Sequence, residues 1–125
     1  MNRLSLSMLL LLSAACLILA CGSGSNRQLQ SITIHSTVSG QQVEFTATGT
    51  FSSAPTTVNP LPVSWSYAPP PGEYNLTTQP FVFNCAQPAA PGPIVACAPT
   101  NASAPASGRL PFAEMTCTSG SIPCP

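Results

Sequence analysis

Val43-Glu44-Phe45-Thr46-Ala47-Thr48-Gly49-Thr50 is the stretch whose reading decides the fold class. Val43, Phe45 and Ala47 alternate with Glu44, Thr46 and Thr48, a period of two that puts apolar residues on one face of an extended chain and polar ones on the other. A helix would scatter them. Residues 41 to 51 therefore read as a half-buried antiparallel strand. Upstream, in Leu29 to Val38, Ile32 and Ile34 share one face while Thr33 and His35 share the other, and Ser39-Gly40-Gln41 turns the chain between the two strands.

Downstream the same pattern recurs between prolines. A Pro/Ser/Thr loop from Ser52 to Pro60 precedes Val63-Ser64-Trp65-Ser66-Tyr67, whose three large residues fall on one face, with Trp65 expected at the centre of the core. Ala68-Pro69-Pro70-Pro71-Gly72 cannot continue a ladder, because proline lacks the donor and fixes φ. It is expected to be a stiff loop, and the whole Tyr67 to Tyr74 stretch is an alternative ligand for an aromatic-lined partner groove. Phe81-Val82-Phe83, then Pro93 to Ala98, then Met115 to Ile122 supply three further strands. The expected core is Ile32, Ile34, Val43, Phe45, Val63, Trp65, Phe81 and Phe83. Short alternating blocks separated by rigid loops suit an all-β sandwich of about seven short antiparallel strands.

The combination Leu29-Gln30-Ser31-Ile32-Thr33-Ile34, Val43 to Thr50 and Val63-Ser64-Trp65-Ser66 resembles the first three strands of bacterial immunoglobulin-like domains of the group 2 type. The resemblance covers Leu29 to Tyr67. After that, prolines and four cysteines stand where the family has a small-residue motif and a Thr/Ala-rich last strand. The resemblance implies an immunoglobulin-like β-sandwich, a fold found in surface adhesins and accessory modules, and one that hosts many functions.

The start of the chain carries a different signal. Asn2 and Arg3 precede a Leu-rich run, Leu4 to Ala20, that reads as a secretory signal and is too short and Ser-broken for a bilayer span. Ile18-Leu19-Ala20-Cys21 resembles the lipobox of bacterial lipoproteins, which implies cleavage before Cys21 and lipid on its sulfur. Ser13-Ala14-Ala15-Cys16 fits less well, having a polar residue where the aliphatic one belongs. The expected organisation is a signal peptide over 1–20, a lipidated Cys21 with a Gly/Ser tether over 21–28, and one sandwich domain over 29–125. Gly22 after the lipidated position favours the outer membrane, with the domain in the periplasm or at the cell surface.

Of six cysteines, Cys16 falls in the discarded segment and Cys21 takes lipid, which leaves Cys85, Cys97, Cys117 and Cys124 as an even set for an oxidising compartment. Their spacing lacks the Cys-x-x-Cys knuckles of structural zinc, so two disulfides are expected and no metal. Three pairings are open. Short loop closure favours Cys85 with Cys97 and Cys117 with Cys124; the nested rival, Cys97 with Cys117 and Cys85 with Cys124, would staple antiparallel strands.

The chain has no Lys and no Asp, and Arg27 and Arg109 face Glu44, Glu73 and Glu114 in the mature part. That balance argues against nucleic acid and against anionic headgroups as electrostatic partners. His35 is the only histidine and has no Asp to orient it, and the three glutamates do not converge in any local motif, so no catalytic residue and no cofactor is expected. Asn75-Leu76-Thr77 and Asn101-Ala102-Ser103 match a glycosylation pattern but read as loop markers here. The sequence thus points to a non-enzymatic, membrane-anchored module that contacts an unknown protein or glycan. The alternatives are an accessory subunit of an envelope complex and, more remotely, a small hydrolase built around His35 with Glu73 or Glu114.

Overall fold

The computed structural model describes residues 26–67, 72–87 and 92–125. The signal segment, Cys16, Cys21 and the triple proline 69–71 lie outside the described residues. Two sheets face one another. In the first, β1 (Leu29–Ser39) runs antiparallel to β2 (Gln42–Phe51). At its start β2 also pairs with β6 (Phe81–Asn84) and at its end with β3 (Thr57–Val58). The second sheet has the order β4 (Ser64–Ser66), β7 (Ile94–Pro99), β9 (Met115–Gly120), all antiparallel. A third pair, β5 (Glu73–Asn75) with β8 (Ser107–Arg109), stands apart from both.

The six longer-patterned segments expected from sequence appear as β1, β2, β4, β6, β7 and β9. The strand number differs, since β3, β5 and β8 bring the described strands to nine. Each of the three is only two or three residues long, too short to show a period. The β1–β2 hairpin closes at Ser39 opposite Gln42, so Gly40 and Gln41 form a two-residue turn. Gly40 has φ +60°, a left-handed conformation that glycine adopts without a Cβ penalty, as such hairpin turns require.

Register carries the alternation of β2 into the core. Val43, Phe45 and Ala47 are buried, and Glu44 is exposed. One cluster gathers Val43, Phe45, Phe83 and Ile94, with Trp65, Phe81 and Tyr67 packed against it at ring distances of 5.7 to 6.5 Å. Of the expected core, Ile32, Val43, Phe45, Val63 and Phe83 are buried, whereas Ile34, Trp65 and Phe81 are half-buried. Trp65 therefore borders the core instead of centring it. It sits on the three-residue β4 at the edge of its sheet and is half-buried, while Phe45 on β2, the long central strand of the facing sheet, takes the middle.

The densest burial lies in β7, all six residues of which are buried. Ile94, Ala96 and Ala98 face the first sheet, while Val95 and Cys97 pack on Tyr74 and Met115. The β5–β8 pair thus acts as a cover over the outer face of β7. This explains why Ile94-Val95-Ala96-Cys97-Ala98 reads as a continuous apolar run while β2 alternates: a strand covered on both faces needs no polar side.

A close approach fixes the junction of β1, β2 and the segment after β3. Gly49 is buried, and a Cβ built there would lie 2.8 Å from both Leu61 methyls and 3.0 Å from a Leu29 methyl. Glycine lets Leu29, Leu61 and Ala47 close over one another in the second core cluster.

Candidate interaction surfaces

The four body cysteines form Cys85–Cys124 and Cys97–Cys117. This is the nested arrangement, and it corrects the short-loop expectation. The reason is register: Cys97 and Cys117 stand directly opposite each other across β7 and β9, with Cα atoms 4.1 Å apart. The outer bond joins the turn after β6, whose Cys85 amide donates to the Gln41 carbonyl, to the tail after β9. It ties the first sheet to the second at the end of the sandwich that carries the Gly40 turn.

The residues considered for catalysis are held apart on different elements. His35 on β1 is exposed, and its Nε2 lies 2.9 Å from Thr48 Oγ1. Glu73 on β5 pairs with Arg109 on β8, both well exposed. Glu114 closes a single 3-10 turn, Phe112–Glu114, and its carbonyl accepts from the Thr100 amide. Among the described residues no three His, Cys, Asp or Glu side chains are gathered as a metal site would need.

The outward face of the first sheet is instead a field of hydroxyls, in which Ser31 stands opposite Thr50, Thr33 opposite Thr48 and His35 opposite Thr46. One of its edges is β1, and β9, an edge of the second sheet, lies beside it. Thr116 Oγ1 donates to the Leu29 carbonyl at 3.3 Å, and a shallow cleft runs between the two strands past Ile34, Thr118 and Gly120. Sheet edges accept an added strand through backbone hydrogen bonds.

The opposite end of the sandwich, where the chain enters, holds a feature that sequence reasoning did not find. Arg27 lies 3.8 Å over the Phe51 ring, its Nε donates to the Ser53 carbonyl at 3.2 Å, and its NH2 group donates to the Pro55 carbonyl. Gln28 exchanges hydrogen bonds with Ser52 and bridges to Asn101. These contacts bind Arg27 and Gln28, read from the sequence as the end of the tether, against the sandwich. Beneath Arg27 opens an apolar groove of ≈ 210 Å³ lined by Leu29, Phe51, Leu61, Leu76 and Ala98. These five residues come from separated segments, so no local pattern announces the groove.

Among the described residues no helix is long and apolar enough to cross a membrane. Two disulfides are compatible with an exported, non-cytoplasmic protein. The chain matches no known family model, no curated protein and no solved structure.

Proposed function

We propose that this chain is an exported lipoprotein, cleaved before Cys21 and anchored by lipid on that sulfur, whose immunoglobulin-like domain works by contact and not by turnover. The observation that carries the reading is the closed pairing of the four body cysteines. It leaves Cys21, in the lipobox-like Ile18-Leu19-Ala20-Cys21, as the one cysteine of the mature chain without a thiol partner. The immunoglobulin-like reading is further supported by the order of the sheets, β1-β2-β6 against β4-β7-β9, which corresponds to A-B-E against C-F-G in that architecture. A contact role is supported by two sheet edges and a hydroxyl-covered face, with His35, Glu73 and Glu114 on separate elements.

Intact-mass measurement of the membrane-extracted protein tests the anchor. The expected species begins at Cys21, carries acyl chains, and gains four hydrogens on reduction, two for each disulfide. A free Cys21 would remove the anchor from the reading. The rival role, an accessory subunit of an envelope complex, draws on the same edges. It predicts a stoichiometric partner that survives mild detergent extraction and crosslinks in whole cells.

A further inference from the structure

We infer that the chain-entry end of the sandwich rests on the bilayer that holds Cys21, with Phe112 seated in the headgroup region; this rests on the lipid-anchor reading above. Phe112 is 58% exposed, the most exposed large apolar residue described. A single exposed apolar side chain means little by itself; its position gives it meaning. The 3-10 turn that carries it is joined to the entry strand through backbone contacts: the Thr100 amide donates to the Glu114 carbonyl, and the Leu29 amide donates to the Thr100 carbonyl. Phe112 therefore lies at the same end as Arg27, where the chain leaves toward Cys21.

Covalent reach then limits how far that end can stand from lipid. Cys21 precedes Arg27 by six residues, and six residues span at most about 20 Å even when fully extended. Arg27 itself is fixed by its bonds to the carbonyls of Ser53 and Pro55 and by the Phe51 ring, so slack in the domain adds nothing. The headgroup layer is about 5 to 7 Å deep on each side of a bilayer, and lipid on Cys21 places that residue at its surface.

The loops facing the membrane suit this contact. Leu110-Pro111-Phe112-Ala113 and Ala102-Ser103-Ala104-Pro105-Ala106 are uncharged; the charged groups flanking them are Glu114, the already engaged Arg27, and Arg109, which is paired with Glu73. An aromatic ring among small apolar residues is the type of side chain that settles at a membrane interface. Two other large apolar side chains are exposed, Val82 on β6 and Val38 on β1; Val38 lies beside the Gly40 turn, nine residues along β1 from Leu29. At the strand rise, that is about 30 Å farther from the entry end.

The test uses the full mature, lipidated chain in phosphatidylcholine vesicles made with or without bromine on the acyl chains. Trp65 is the only native tryptophan and serves as the internal baseline. Phe112→Trp, and Ala113→Trp as a second probe at the same turn, are expected to show blue-shifted emission that brominated lipid quenches well beyond wild type. Val38→Trp is expected to show no such excess. If neither turn probe is quenched beyond wild type while the mass shows acyl chains on Cys21, the inference falls and the anchor stands. If Val38→Trp is quenched as strongly as Phe112→Trp, the domain lies on its side and the inference also falls. An unmodified Cys21 in the vesicle-bound protein overturns both.

Discussion

Removing the outer disulfide by Cys85→Ala with Cys124→Ala isolates the effect of a cross-link from the effect of a lost core contact. Cys85 is half-buried and Cys124 exposed, so truncation leaves little cavity. The bond closes a loop with a sequence separation of 39, for which loop-closure entropy alone gives about 3.9 kcal/mol. The inner bond, with a separation of 20, lies inside that loop and short-circuits it. The segment still free to be restrained is then about 20 residues, and the expected loss falls to about 3.3 kcal/mol. For a domain of this size that corresponds to a fall in Tm of about 13 to 26 °C. Thermal and urea unfolding followed by circular dichroism supply the measurement. The urea m-value is expected to rise, because a chain without the cross-link exposes more surface when it unfolds. A loss below about 1 kcal/mol with an unchanged m-value would refute the reasoning, since the unfolded chain would then not have been restrained by this bond.

Nested pairing also has a direct chemical signature: Arg109 separates Cys85 and Cys97 from Cys117 and Cys124. Trypsin under denaturing, non-reducing conditions should leave the 28–109 and 110–125 fragments joined, and mass spectrometry finding them separate would require the short-loop pairing instead. Phe45→Ala, at a fully buried position between Trp65 and Phe81, is expected to cost about 3 to 5 kcal/mol in denaturant unfolding. A loss under about 1 kcal/mol would mean that the core is centred elsewhere. Gly49→Ala places a methyl 2.8 Å from Leu61 and should destabilise by about 1 to 3 kcal/mol. Pairing it with Leu61→Ala should recover part of that loss, and a strictly additive double variant would show that the Leu61 contact is not the cause.

The strands that frame the sandwich were legible because their side chains have a period. In β2 the alternation of Val43, Phe45 and Ala47 with polar neighbours survives unchanged as burial, since one face of that strand meets the core and the other meets water. The run in β7 was legible as a strand, but not as one buried on both faces. Its cover, β5 with β8, consists of three-residue segments that carry no pattern of their own. Trp65 was misplaced for a related reason: size and apolarity say that a side chain seeks burial, while its position at a sheet edge decides how much it obtains.

By itself, then, the sequence determined the all-β class, the six patterned strands, the Gly40 turn and the even set of body cysteines, because each is written in local periodicity or composition. Only the tertiary structure decided which cysteines pair and what surfaces the domain offers. Cys97 meets Cys117 through the register of β7 and β9, and Cys85 meets Cys124 through the approach of the two sheets. Arg27 becomes the fixed root of the chain only when Phe51, Ser53 and Pro55, more than twenty residues away, are folded against it. Those partners are distant along the chain, and proximity between distant residues follows from packing, which no local spacing encodes.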